Sequence, residues 1–162
     1  MKSLLLSAAF GLAAMSGAWA QAPAAQDFVN QAASGGLFEV QSSELALQRS
    51  QNADTQQFAN QMVTDHTANN EQLKAAAEAE GLTVPSEVAG PQAEMMQTLE
   101  AAEGDAFDPA YAEAQVTAHE TAVQLYQSYA EGGDNEALKT YAQESLPVLQ
   151  QHLEHAQGLA GQ

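Results

Sequence analysis

From about Asp27 onward the apolar residues recur at intervals of three and four, and no stretch alternates with the two-residue period of a strand. A chain written in this way is restricted to helices that bury one face against each other. The first stripe runs through Phe28, Ala32, Gly35, Gly36, Val40, Ala46 and Leu47, which predicts a helix from about Asp27 to Arg49 with Asp27 as N-cap. The Gly35-Gly36 pair weakens that helix and lets a neighbour approach closely. A second helix is expected to open at Asp54, with Gln57 completing a box-like start. Its stripe is Phe58, Met62, Leu73, Ala76 and Ala77, and Gly81 closes it. Leu82 to Asp105, with Pro85, Gly90 and Pro91, reads as a long connection carrying one short helix over Gln92 to Glu103. Asp108-Pro109 then reads as a helix start, followed by Tyr111, Ala114, Ala118, Ala122, Leu125, Tyr126 and Tyr129. Gly132-Gly133 ends that stripe. Asp134 is expected to open the last helix, whose buried face is Leu138, Tyr141, Ser145, Leu149, Ala156 and Leu159. Two tight turns and one long connection therefore predict an all-α, antiparallel four-helix bundle, with an extra short helix between the second and third long ones.

The first twenty residues belong to a different grammar. Lys2 gives a short basic start, Ser3 to Ala14 an apolar run, and Ala18-Trp19-Ala20 a small-x-small cleavage site, so residues 1–20 read as a secretory signal. The run is too short for a lasting membrane span. The remaining 21–162 are expected to form one exported domain, periplasmic or secreted, with its core at about 27–159 and no transmembrane segment. Loss of Lys2 leaves Arg49, Lys74 and Lys139 against 21 acidic residues. Such a surface repels nucleic acid and attracts metal cations or basic partners. The absence of cysteine excludes thiol catalysis, thiolate metal sites and disulfide staples.

Each of the four apolar stripes carries one strongly polar residue able to bind a metal. Glu39 lies four residues from both Gly35 and Ser43, His66 four after Met62, His119 seven before Tyr126, and His152 four before Ala156. All four point inward if the stripes do. Counting from the turns, Glu39 and His66 fall within one residue of the same depth, or ~1.5 Å. His119 and His152 differ by five residues, about 7.5 Å, so His152 joins their layer only if Pro147 distorts its helix. Two readings stand side by side. One is a mononuclear site of three imidazoles and a carboxylate, suited to iron, zinc, manganese or copper. The other is a hydrogen-bonded polar core in which the histidines pair with Glu39 or with hydroxyls such as those of Tyr111, Tyr126 and Tyr141. His155, one turn after His152, is a further partner or a surface group, and Asp65 reads as a helix flank. A di-iron carboxylate centre is not indicated: Val63, Val116 and Leu149 occupy the positions where Glu-x-x-His would place its acids.

Phe28-Val29, Ala33 to Val40, Phe58 to His66, Phe107 to Tyr111, His119-Glu120 and Leu146 to Leu153 occur in an order that resembles a bacterial exported family known as domain of unknown function 4142. The resemblance covers about Asp27 to Leu159. It implies a ferritin-like four-helix fold, export, and a role that is largely unassigned, and the family's motif positions fall on Glu39, His66, His119 and His152. Members are often labelled outer-membrane proteins, but this sequence has no alternating strands for a barrel.

Three functions stay open on these grounds: a metal-binding protein, a non-catalytic envelope or stress-related interaction protein with structural histidines, and a small redox enzyme at the same centre. No nucleophile elbow or phosphate loop suggests other catalysis.

Overall fold

A computed structural model describes residues 22–161, so the signal segment expected at 1–20 lies outside the described residues. Five helices and no strands occur among them: α1 (Ala25–Arg49), α2 (Ala53–Ala79), α3 (Pro91–Ala101), α4 (Phe107–Gly132) and α5 (Glu136–Ala160), with a 3-10 turn at Gly104–Ala106. None is long and apolar enough to cross a membrane.

Four long helices form the bundle. Stacking of Phe28 on Tyr129, with ring centroids 4.1 Å apart, joins the start of α1 to the end of α4. A 2.8 Å hydrogen bond between Ser43 and Tyr111 joins the far half of α1 to the start of α4. Hence α4 runs antiparallel to α1, and the connection from α2 must travel the length of the bundle before α4 begins. This is the ferritin-like up-down-down-up arrangement, with α1 packing on α2 and α4, and α5 packing on α4 and α2. The short helix α3 lies within that connection against α1 and α4.

The helix starts depart from the sequence expectation in four places. Ala24, not Asp27, stands at the N-cap of α1, and Asp27 lies inside its first turn, where an acidic side chain suits the helix dipole. Asn52, not Asp54, caps α2, accepting from the amides of Asp54 and Thr55. Asn135, not Asp134, caps α5 through the amide of Leu138, because Asp134 accepts instead from the Tyr129 hydroxyl at 2.9 Å. Asp108 does not cap α4. The 3-10 turn feeds directly into the helix at Phe107, whose ring is buried, and Pro109 sits in the first turn, where no intrahelical donor is needed. Gly81 ends α2 as expected, with φ +72°.

The Gly35-Gly36 pair divides its work. A Cβ at Gly36 would overlap the Asn70 carboxamide, so this glycine brings α1 and α2 together. A Cβ at Gly35 would meet nothing within 4 Å.

The core is two apolar clusters. One gathers Phe28, Leu73, Tyr126, Tyr129, Leu138 and Tyr141 toward the end of the bundle where α4 turns into α5. The other gathers Phe38, Phe58, Met62, Leu99, Phe107 and Tyr111 toward the end where α1 turns into α2. In sequence, His66, His119 and His152 each fall between a residue of one cluster and a residue of the other, so the polar positions separate the two.

Candidate metal centre

His66, His119 and His152 are 5, 0 and 2 % exposed, and Glu39 is 3 % exposed. The three rings form a nearly equilateral triangle, with centroids 5.5 Å (His66 to His119), 5.4 Å (His66 to His152) and 5.5 Å (His119 to His152) apart. One ring nitrogen from each lies within 4.8 Å of the other two.

His152 therefore shares the layer, and the five-residue offset read from the sequence is closed by two effects. The turn between α4 and α5 is centred on Asp134 rather than Gly133, which leaves His119 fifteen residues before it and His152 eighteen after. Cα–Cβ bonds tilt toward the N-terminus of their own helix, so His119 leans away from the turn and His152 leans back toward it. The first hairpin shows the same three-residue offset about Gln51, with Glu39 and His66 tilted in the compensating sense. Pro147 lies on the exposed side of α5, and the helix continues through it.

Hydrogen bonds decide which nitrogen His119 and His152 present. His119 Nδ1 is 2.9 Å from the backbone carbonyl of Gln115, one turn earlier. A carbonyl only accepts, so Nδ1 carries the proton and Nε2 keeps its lone pair. His152 Nε2 is 2.9 Å from Asp65 Oδ2, which makes it the donor and leaves Nδ1 as the lone-pair nitrogen. His119 Nε2, His152 Nδ1 and His66 Nε2 are all buried without a hydrogen-bond partner. Three orphaned ring nitrogens in one buried layer are costly, on the order of 1–3 kcal/mol each, unless something bridges them.

Burial also sets the charge state. Desolvation holds His119 down at about 4 despite its bond to the Gln115 carbonyl. It holds His66 well below its usual value, with His119 and His152 adding to the effect. It lowers His152 as well, against the opposing pull of Asp65. The imidazoles are thus neutral at neutral pH, the form that ligates metals.

Glu39 is not part of the triangle. Its Oε1 is 3.6 Å from His119 Nδ1, the nitrogen turned toward Gln115, and its Oε2 has no partner. Burial pushes its carboxyl up to about 8, against a hydrogen bond from Gln115 that lowers it. With Glu39 protonated and His119 neutral, the 3.6 Å approach is a contact, not an ion pair. The expected Glu39 to His66 pair is replaced by this contact with His119, because α1 borders α4 as well as α2.

Other expected partners lie elsewhere. The Tyr111 hydroxyl is bonded to Ser43, and that of Tyr126 to Tyr141 at 2.8 Å, so neither serves a ring nitrogen of the triangle. His155 is exposed and packs edge-on against Phe58, with centroids 4.9 Å apart. Asp65, read from sequence as a flank, is instead the residue that orients His152. Nothing in the α2 stripe marks it, because its usefulness depends on α5 lying beside that flank. Gln115 was more legible: Tyr111, Gln115 and His119 stand at successive intervals of four on one buried face.

Two spaces adjoin the centre. Along the seam of α2 and α5, a groove of about 480 Å³ is walled by Asp65, His66 and His152 together with Asn69, Gln72 and Glu144. On the α1 and α4 side, a cavity of about 40 Å³ is bordered by Glu39, His66 and small residues of those two helices.

The model of a family described as a domain of unknown function, DUF4142, matches residues 11–159, and the chain belongs to that family. No curated protein sequence matches it. Among solved structures, CopM in its Cu(II)-bound form is similar with a TM-score of 0.72 at 13 % identity, over 87 % of this chain and 98 % of that one. A DUF305 fragment from Deinococcus radiodurans is similar with a TM-score of 0.67 at 16 % identity, over 86 % and 98 %. At these identities the likeness is one of fold.

Proposed function

We propose that this member of the DUF4142 family is an exported helical-bundle protein that holds one transition-metal ion through His66 Nε2, His119 Nε2 and His152 Nδ1. The observation that carries the reading is the convergence of three buried, neutral, unpartnered ring nitrogens. The donor set fits the group. Two of the rings already bear the outer hydrogen bonds that metal-binding histidines use, His119 to the Gln115 carbonyl and His152 to the Asp65 carboxylate. Three imidazoles suit copper, zinc or iron. Manganese, which prefers oxygen donors, is the poorest match now that Glu39 stands behind His119 rather than among the ligands. The fold likeness to a protein seen with Cu(II) adds weight to copper. The groove between α2 and α5 offers a cation from solvent a path past Asp65, whose carboxylate is 37 % exposed. The signal expected at residues 1–20 would put the centre where environmental metal is met.

The competing reading, an interaction protein with a structural polar core, explains the two outer hydrogen bonds but leaves three inner nitrogens without partners. Elemental analysis of untagged protein from the periplasm, beside a His66→Ala, His119→Ala double variant, decides between them. Near-stoichiometric metal in the parent and none in the variant is expected. Metal-free samples of both, with the variant only less stable, would reduce the triangle to a polar core and leave the acidic surface and its basic partners as the functional feature.

A further inference from the structure

We propose that the cavity on the α1 and α4 side binds a ligand of two or three heavy atoms, of the class of peroxide or azide, held between Glu39 and the histidine triangle. This rests on the metal-binding reading and assigns the centre a second occupant.

Glu39 Oε2 and His66 Nε2 are both buried and unpartnered, and both residues border this one cavity. Its volume of about 40 Å³ exceeds what one water needs, roughly 10–15 Å³, and suits a molecule of two or three atoms. The rest of the wall is mainly small or apolar, Ala32, Gly35, Ala118, Ala122 and Leu125 among it, with Gln31, Gln92 and Thr121 also lining the space. These walls suit a hydrated cation less well than the more polar groove on the opposite seam does. They accept a small, weakly solvated molecule that has one end for the metal and one for a hydrogen bond with Glu39. Gly35 borders the cavity, and a Cβ there would touch nothing within 4 Å, so a larger side chain has open space to occupy. The centre then has two approaches, the cation from the α2 and α5 groove and the small ligand from the α1 and α4 cavity.

Azide is the probe. Protein loaded with copper(II), its content fixed by elemental analysis, is titrated with azide while the near-ultraviolet charge-transfer absorption and the electron paramagnetic resonance spectrum are followed. Saturable binding is expected in the parent. Gly35→Leu, whose side chain grows into the cavity, should hold the same copper while its azide affinity falls at least tenfold, and Gly35→Ala should show a smaller loss in the same direction. Loaded parent that binds no azide, or Gly35 variants that bind it like the parent, would overturn the proposal. Failure to load copper or any other metal would sink the metal reading, and with it this ligand site. Xenon-induced shifts at the Ala32 and Ala122 methyl resonances of the metal-free protein would then report separately on the cavity itself.

Discussion

Burial of His119 and Glu39 imposes opposite pH dependences on the metal-free protein. An unfolded imidazole takes up its proton near pH 6.5, whereas folded His119 resists until about 4. Between those values the unfolded state binds more protons, so acidification removes stability from pH 6.5 downward, on the order of 3 kcal/mol for this residue at about 1.4 kcal/mol per unit. Glu39 acts in the other sense, since its folded carboxyl holds a proton up to about 8 that the unfolded chain releases near 4.5. Its contribution is full below pH 4.5 and is lost as the pH rises through 8. Urea unfolding of metal-free protein from pH 4 to 9 should show both limbs. His119→Gln is expected to reduce the acid limb, to which His66 and His152 also contribute, and Glu39→Gln to flatten the alkaline one. Unchanged profiles in both variants would mean that these groups are not dry in solution. The neighbouring glycines give a second contrast at this scale. Gly35→Ala removes backbone freedom from the unfolded chain at no steric cost and should stabilise by ~0.5–1 kcal/mol. Gly36→Ala must displace the Asn70 carboxamide and should fall short of that gain in the same unfolding series.

Among the elements, α3 is the one held by its surroundings rather than by its own pattern. It buries Leu99 alone and has no side-chain N-cap. Its C-terminal end is held by Arg49, whose Nη1 donates toward the carbonyls of Leu99, Glu100 and Ala102 at 3.1, 2.9 and 2.8 Å and whose guanidinium lies 5.6 Å from the centroid of the Phe107 ring. A cation at three helix-end carbonyls satisfies groups that α3 cannot bond internally. Arg49→Ala is expected to cost about 1–3 kcal/mol and to raise amide exchange in α3 well before the long helices. Loss of protection spread evenly over the bundle would contradict that local role. The sequence had placed a short helix here within a residue or two of its limits, but the partner that holds it is fifty residues away in the chain.

For the whole molecule, a formal net charge of −17 on 162 residues works against compaction. Self-repulsion among exposed carboxylates is screened within about 10 Å at 0.1 M salt. The melting temperature of metal-free protein should therefore rise by several degrees between about 10 and 150 mM sodium chloride, with no comparable gain from neutral osmolytes at equal osmolality. A salt-independent melting temperature would mean that the acidic groups are paired or spaced widely enough not to interact.

Local pattern determined which residues could enter the core. The three-and-four spacing wrote four long stripes and placed one polar residue in each. Turn residues then limited the connections to two short ones and one long one, which is enough to specify an antiparallel bundle. Pattern counts Cα positions along a chain, however, and the site depends on where side-chain heads arrive across helices. The tilt of the Cα–Cβ bonds and the true turn centres brought His152 level with His119, which residue counting had set about 7.5 Å apart. The crossover course of the second connection put α1 beside α4 and α5 beside α2. That choice moved Glu39 from His66 to His119 and turned Asp65 from a flank into the partner of His152. Only packing between helices could make those decisions, because each joins residues whose separation in sequence carries no record of their distance in space.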